Sequence, residues 1–285
     1  MPPKQGAARA KPARKRAPAV STRSRSRAPA RSAASRAAKE SQRSLDVEVQ
    51  AALKALERRA TRSTLDGMAR YGIFTNKAFG VSVGDVQRIA KPLGRSHDLA
   101  GALWETGWYE ARLLAAFIDE PERVTPAQMD RWCRDFDNWG ICDTVCFHLF
   151  DRTPHAWRKV AQWASRREEF AKRGSFALLA CLALHDRNTA DRPFLASLKL
   201  IEAAAGDERN FVKKGVNWAL RAVGRRNGAL NTAAVAVARR LAASPEAAPR
   251  WVGKDALREL TSAAVVRKLA AQRGRGAAGR SPAIA

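Results

Sequence analysis

Apolar residues return every three or four positions along most of this chain, the period of helices that bury one face. Val49, Leu53 and Leu56 open the pattern, with Glu and Arg between them. A short helix is predicted over 64–72, ended by glycine, and the run Phe79-Gly80-Val81-Ser82-Val83-Gly84-Asp85 reads as a loop. The next helix carries Val86, Ile89, Ala90 and Leu93 and stops near Gly94. Ser96 then precedes Leu99, Leu103 and Trp104, a cap followed by an apolar face. Another helix covers 108–118 and closes before Pro121. Thr125-Pro126-Ala127-Gln128 combines an N-cap threonine, a proline at N1 and a glutamine at N3. Thr153-Pro154 repeats the first half of that signal ahead of Trp157, Val160 and Trp163. Further helices are predicted over 168–185, 193–205, 210–225, 232–242 and 254–271.

No segment alternates with a period of two between turn residues. Residues 45–272 therefore read as all-α, with about eleven or twelve helices on short connections. Helical segments pair at intervals of roughly 35–45 residues, the range of HEAT-type repeats. Such a HEAT-like solenoid would offer a long concave face; a closed helical bundle is the alternative. Residues 1–44 are rich in Ala, Pro, Ser and Arg and poor in large apolar side chains. That composition cannot offset the entropy of ordering, so a disordered basic arm is expected there. An Arg/Ser-rich, acid-poor start also fits an organelle transit peptide, though Pro12, Pro18 and Pro29 interrupt an amphipathic helix. Residues 273–285 read as a second flexible basic tail.

Charge narrows the class of partner. The 285 residues carry 52 Lys/Arg against 27 Asp/Glu, a net charge of +25. Residues 1–44 hold thirteen of the basic residues and one acid, so the body keeps +13 of its own. A basic body favours a polyanion, nucleic acid foremost; a plain solubility charge is the simpler reading. No apolar run reaches the length of a membrane span, and no apolar region follows the first basic residues as in a secretory signal. A cytoplasmic, nucleoid-associated monomer is expected. Cys133, Cys142, Cys146 and Cys181 form no CxxC pair and should be reduced thiols. Cys142 and Cys146 share a helix face but lack histidine partners, so no metal site is expected. His97, His148, His155 and His185 fit no triad or HExxH pattern. There is no P-loop and no GxGxxG, and no cofactor is expected.

Three places could carry chemistry. Trp139 and Asp143 stand four residues apart in Asp135-Phe136-Asp137-Asn138-Trp139-Gly140-Ile141-Cys142-Asp143, on one helix face. An indole beside a carboxylate suits a developing cation, and is equally ordinary structure. Asp130, Asp135 and Asp137 read as surface or capping carboxylates. Lys214, Trp218, Arg221 and Arg225 form a second helix stripe, while Val212, Val216, Ala219 and Val223 supply the apolar side. Such a stripe either tracks phosphates, with Trp218 facing a nucleotide, or is a solvated basic face. Lys172-Arg173 begin an otherwise apolar helix, where cations oppose the macrodipole. Arg173 therefore needs a partner, a carboxylate such as Asp143 or a phosphate, unless this is simply a solvated helix end.

Several of these segments resemble the DNA alkylation repair family of HEAT-like-repeat DNA glycosylases, the AlkD-like group. The segment from Phe79-Gly80-Val81 to Ala90-Lys91, Trp108-Tyr109-Glu110-Ala111-Arg112, Asp137-Asn138-Trp139 through Asp143, Lys172-Arg173, and Phe211 through Trp218-Ala219-Leu220-Arg221 carry the likeness. It covers about four-fifths of the chain, from Leu45 to Ala271. The resemblance implies a glycosylase that removes cationic N3- or N7-alkylated purines from double-stranded DNA. Asp143 would stabilise the oxocarbenium-like sugar and position water, and Trp139 and Trp218 would flank the nucleotide. Arg173 would hold a backbone phosphate, with Lys213, Lys214, Arg221 and Arg225 along the DNA. The lesion would be excised in or near the stack rather than from a deep base pocket. Gly140 departs from the family, where an acidic residue is common, and a glycine there should loosen the turn. An insertion near 186–192 is also expected. A non-catalytic DNA-binding or architectural protein of the same fold is the second reading, and a protein–protein scaffold a third.

Overall fold

The computed structural model describes the backbone of residues 28–278 and side chains within residues 36–272. The basic residues before 28, and those after 278, lie outside the described residues. The chain divides into two units, residues 1–44 and 45–285. Among the described residues there are fourteen α-helices, one 3-10 turn and no strand. No helix is long and apolar enough to cross a membrane.

Three local expectations are corrected. Residues 28–44, read as disordered, belong to helix α1, Ala28–Glu57. Their alanines have the highest helix propensity, and Pro29 falls in the first turn, where its missing N–H costs little. Residues 273–278, read as a flexible tail, continue helix α14, Ala263–Ala278. The predicted helix over 254–271 is in fact two, α13 (Ala247–Leu260) and α14. Thr261 closes the first through its hydroxyl to Leu257 O, and Ser262 Oγ accepts the Val265 N–H that opens the second.

Between these ends run α2 (Arg62–Arg70), α3 (Val83–Leu93), α4 (His97–Glu105), α5 (Tyr109–Ile118) and α6 (Pro126–Arg134). Then follow α7 (Trp139–His148), α8 (Ala156–Ala164), α9 (Glu169–His185), α10 (Asp191–Ala204), α11 (Asn210–Gly224) and α12 (Gly228–Ala242). Predicted caps form at Ser96 and Thr125, whose side chains accept from Leu99 N and Gln128 N. Thr153 does not cap: its hydroxyl donates to Phe150 O in the 3-10 turn Phe150–Arg152, and α8 starts later, at Ala156.

The helices pack in two rows. One row runs α3, α5, α7, α9, α11 and α13, each touching the next. The other places α4 on α5, α8 on α9, α10 on α11 and α12 on α13. Hydrophobic burial between the rows supplies the core, with Trp104 and Trp132 stacked at 3.9 Å. The sequence of α9 explains its central place. Phe176, Ala177, Leu178, Leu179, Ala180 and Cys181 are all fully buried, so it is apolar on every side, as a helix between two layers must be.

Two of the three carboxylates expected at the surface or as caps, Asp130 and Asp135, also anchor this interior; Asp135 is the C-cap of α6, and Asp137 is exposed. Asp130 accepts from Trp163 Nε1 and from Lys159 Nζ at 2.6 Å, and Asp135 accepts from Trp104 Nε1. Lys159 is only 1% exposed; its charge is tolerable there because Asp130 is beside it. The Phe79-Gly80-Val81 segment has a similar cause. Glu110, fully buried on α5, accepts the backbone N–H groups of Phe79, Gly80 and Val81 at 2.9, 2.7 and 3.0 Å. Gly80 adopts φ +83°, and a Cβ there would lie 2.6 Å from Thr61 O. The two family-like segments thus form one lock that fixes α3 against α5. Glu110→Ala would strand three buried donors, at a cost of roughly 3 kcal/mol or more and a fall in Tm of about 6 °C or more. Thermal unfolding by circular dichroism measures it, and an unchanged Tm would refute the lock.

Candidate nucleic-acid interface and catalytic cleft

The row that runs from α3 to α13, the inner row, carries the candidate side chains: Trp139 and Asp143 on α7, Arg173 on α9, and Lys213, Lys214, Trp218 and Arg221 on α11, with Arg225 capping its end. Helix α7 starts where it does because Asn138 caps it, its Oδ1 accepting Ile141 N at 3.0 Å. Trp139 is therefore the first helical residue, and Asp143 lies one turn on. Trp139 is not free to swing: its Nε1 donates to Tyr71 O at 2.7 Å.

Gly140 corrects an expectation. It does not loosen the turn; it is buried, and an added Cβ would run into Tyr109 Oη, with Asn138 Oδ1 at 3.1 Å and Ile73 Cδ1 at 3.2 Å. Tyr109 comes from α5, so glycine lets α7 and α5 close together beside Trp139. Burial drives the Tyr109 phenol pKa well up, helped by Glu110 and Asp137, so the hydroxyl keeps its proton.

Asp143 and Arg173 face each other across α7 and α9. Arg173 Nε donates to Asp143 Oδ1 at 2.8 Å and Nη2 to Oδ2 at 2.6 Å, a bidentate fork. Nη1 donates to Phe211 O at 2.7 Å. Arg173 reaches that position past Gly215, where a Cβ would sit 3.3 Å from its Cγ. Three of the five guanidinium N–H groups are thus engaged. Of the two partners the sequence left open, the carboxylate is the one found; Arg173 clamps it while also lining both hollows described below. The neighbouring Lys172 pairs with Asp207 at 3.0 Å.

The pair is asymmetric. Asp143's side chain is 20% exposed and Arg173's 8%, so the carboxylate is the partner that opens to the cleft. Burial raises the Asp143 carboxyl above the ordinary range, against the opposing pull of Arg173. Burial likewise works against the Arg173 charge, but Asp143 outweighs it and raises that pKa.

Two adjoining hollows share Asp143, Arg173 and Lys214. One, of about 470 Å³, also has Arg70, Tyr71, Trp139 and Phe211 in its wall. The other, of about 410 Å³, also has Asn217, Trp218, Arg221, Trp251 and Asp255. Trp139 thus lines one hollow and Trp218 the other, and Asp143 lines both. The basic stripe on α11 is less free than expected. Arg221 and Arg225 both bind Glu259 of α13, at 2.5 and 3.2 Å, while Lys213 Nζ rests 5.3 Å from the centre of the Trp251 ring. Lys214 is exposed and makes no ion pair among the described residues.

Trp251, Asp255 and Asn217 escaped the reading of the sequence. A signal was there: Trp251-Val252-Gly253-Lys254-Asp255 repeats the Trp-x3-Asp spacing of Trp139 and Asp143. Among the described residues no group of His, Cys, Asp and Glu is placed to hold a metal ion, and all four cysteines are free and buried.

Residues 52–260 match the family described as DNA alkylation repair enzyme. The chain belongs to that family. No curated protein matches the chain. Its structure is similar to that of a protein from a family related to the HEAT-like repeat DNA glycosylases with affinity for branched DNA structures. That likeness has a TM-score of 0.61 and 21% identity, and covers 67% of this chain and 81% of that one. At this identity the likeness speaks for the fold: a HEAT-like repeat, as the helical pairing predicted.

The Gly140 contact gives a sharp test within the DNA alkylation repair fold. Gly140→Ala should cost about 1–3 kcal/mol through overpacking. Adding Tyr109→Phe should restore most of it, because the hydroxyl is the nearest obstacle. Urea denaturation of both variants and the double variant measures this; simply additive losses would contradict it.

Proposed function

We propose that this protein hydrolyses the N-glycosidic bond of cationic N3- or N7-alkylated purines in double-stranded DNA, leaving an abasic site. The observation that carries the proposal is an oriented carboxylate, Asp143, that lines two adjoining hollows, one with Trp139 in its wall and the other with Trp218.

The chemistry asks little of the protein. An alkylated purine carries a positive charge, so when the C1′–N bond breaks, the base takes the bonding electrons and leaves neutral. Charge then develops on the sugar. Asp143 would stabilise it, and its fixed position means that little reorganisation is needed as charge develops. Each carboxylate oxygen accepts one Arg173 N–H, and an ionised carboxylate has about four acceptor sites. About two remain, and one can orient the water, whose oxygen bonds to C1′ and whose proton passes to Asp143. Trp139 and Trp218 would present π-faces to the cationic nucleotide. Lys214, exposed at the junction of the two hollows, is the phosphate ligand this reading favours. Lys213, Arg221 and Arg225 would add longer-range attraction along the groove.

One observation favours the second reading, a DNA-binding protein without excision: Arg173 lies against both oxygens of Asp143 and offsets its charge. Asp143→Asn separates the two. It keeps the side-chain shape and an oxygen for Arg173, but removes the charge. Base release from methylated duplex should fall by at least about 100-fold, with affinity for the same duplex within about twofold. Equal release by both proteins would remove Asp143 from the mechanism. Because burial raises the Asp143 carboxyl and the reaction needs it ionised, single-turnover release should decline on the acid side above the ordinary Asp range. A rate flat down to that range would contradict the assignment.

A further inference from the structure

Helix α13 packs on α11, and the two meet in register. Lys213 rests on the Trp251 ring. Asn217 donates to Asp255 and Arg221 to Glu259, each acceptor 38 residues further along the chain. Glu259 is the unexpected member of this register. It stands in the last turn of α13 (Ala247–Leu260), where a carboxylate opposes the macrodipole. Its two oxygens go to two different arginines. Oε2 accepts from Arg221 Nη1 at 2.5 Å and Oε1 from Arg225 Nη1 at 3.2 Å. Neither contact is a fork: Arg221 Nε is left buried without a partner, whereas Arg173 gives Asp143 both Nε and Nη2. All three groups keep access to solvent, with side chains 31% exposed at Arg221, 43% at Arg225 and 28% at Glu259. Arg221 also stands in the wall of the hollow that Asp143, Lys214 and Trp218 share. One carboxylate thus holds two guanidiniums of the basic stripe beside the cleft, as a phosphate would.

Resting on the DNA reading above, we infer that Glu259 is the residue that sets how tightly the groove holds DNA: it occupies Arg221 and Arg225 in place of a backbone phosphate. Carboxylate and phosphate oxygens are alternative acceptors for the same guanidinium N–H groups, so Glu259 and a phosphate compete for them. The carboxylate also repels a phosphate that approaches either arginine. Part-exposed, singly bonded ion pairs contribute little to folding stability; what these two change is binding. A chain with a net charge of +25 attracts any duplex, whatever its sequence. Glu259 weakens that indiscriminate hold next to the cleft and leaves Lys214 there as an exposed cation.

The test titrates a fully paired, unmodified duplex with the full chain, by fluorescence anisotropy over a range of salt concentrations. Glu259→Gln keeps the size of the side chain and removes its charge. It should bind roughly tenfold tighter than wild type, and the slope of log affinity against log salt should steepen by about two, near 0.9 for each phosphate newly contacted. Glu259→Ala, which removes the carboxylate outright, should act in the same direction. Glu202→Gln is the control. It makes the same change in charge by releasing Arg240, which Glu202 holds in a fork between α10 and α12 of the other row, and it should stay within about twofold of wild type. Arg221→Ala should cost more affinity in the Glu259→Gln background than in wild type, because only there is the guanidinium released to a phosphate. Unchanged affinity and slope in both Glu259 variants would overturn the inference and leave the DNA reading standing. Equal tightening by Glu202→Gln would overturn it too, since net charge alone would then account for the gain, as would equal costs of Arg221→Ala in the two backgrounds. Wild-type protein that binds no duplex at any salt concentration would overturn the DNA reading itself, and the role of Glu259 with it.

Discussion

The buried ion pair between Asp143 and Arg173 is the constraint on which the rest of the cleft depends. A carboxylate and a guanidinium can leave water together only if each satisfies the other. Here the fork is bidentate and the third guanidinium bond goes to the backbone of α11. One side chain on α9 thereby ties α7 to α11. Gly215 makes the passage possible by giving Arg173 room against α11. Gly140 does the equivalent on the other side, letting α7 settle against Tyr109 of α5. Three helix contacts in the inner row are thus set by one charge pair and two absent side chains.

The same arrangement resolves an apparent conflict between charge and chemistry. The chain is strongly basic, and long-range attraction to DNA needs no particular residue. Close to the cleft, however, many cations are already paired: Arg173 with Asp143, Lys172 and Arg209 with Asp207, Arg221 and Arg225 with Glu259. These pairs rigidify the wall. Lys214 stands apart as an exposed cation at the junction of the two hollows. The electrostatics of the cleft itself are therefore local and directed.

Much of this was legible from the sequence, and the pattern of what was missed is physical. Helices α4 and α6 followed from cap residues and α9 and α11 from their apolar residues, because those signals act within a few positions. The helix stripe Lys214 to Arg225 and the Trp139–Asp143 pair were visible for the same reason. Interactions across the fold were not. Glu110 caps a loop about thirty residues earlier in the chain; Asp255 and Glu259 reach residues 38 positions back. No local window contains both partners. Gly140 was misjudged for that reason: within its own helix a glycine is a weakness, and only Tyr109 from another helix explains it. Thr153 failed as a cap because α8 starts only at Ala156, with His155 in the cap position.

Asp143 stands where the fold, the ion pair and the proposed chemistry meet, and one experiment addresses all three. Wild-type protein is incubated in excess over duplex DNA bearing 7-methylguanine and 3-methyladenine, and free base is followed by chromatography over a single turnover. The account predicts release of the methylated purines, with an abasic site left in the strand and unmodified purines untouched. Tight binding of that duplex with no free base released would contradict it, and would make the paired Asp143 a structural anchor in a protein that only holds DNA.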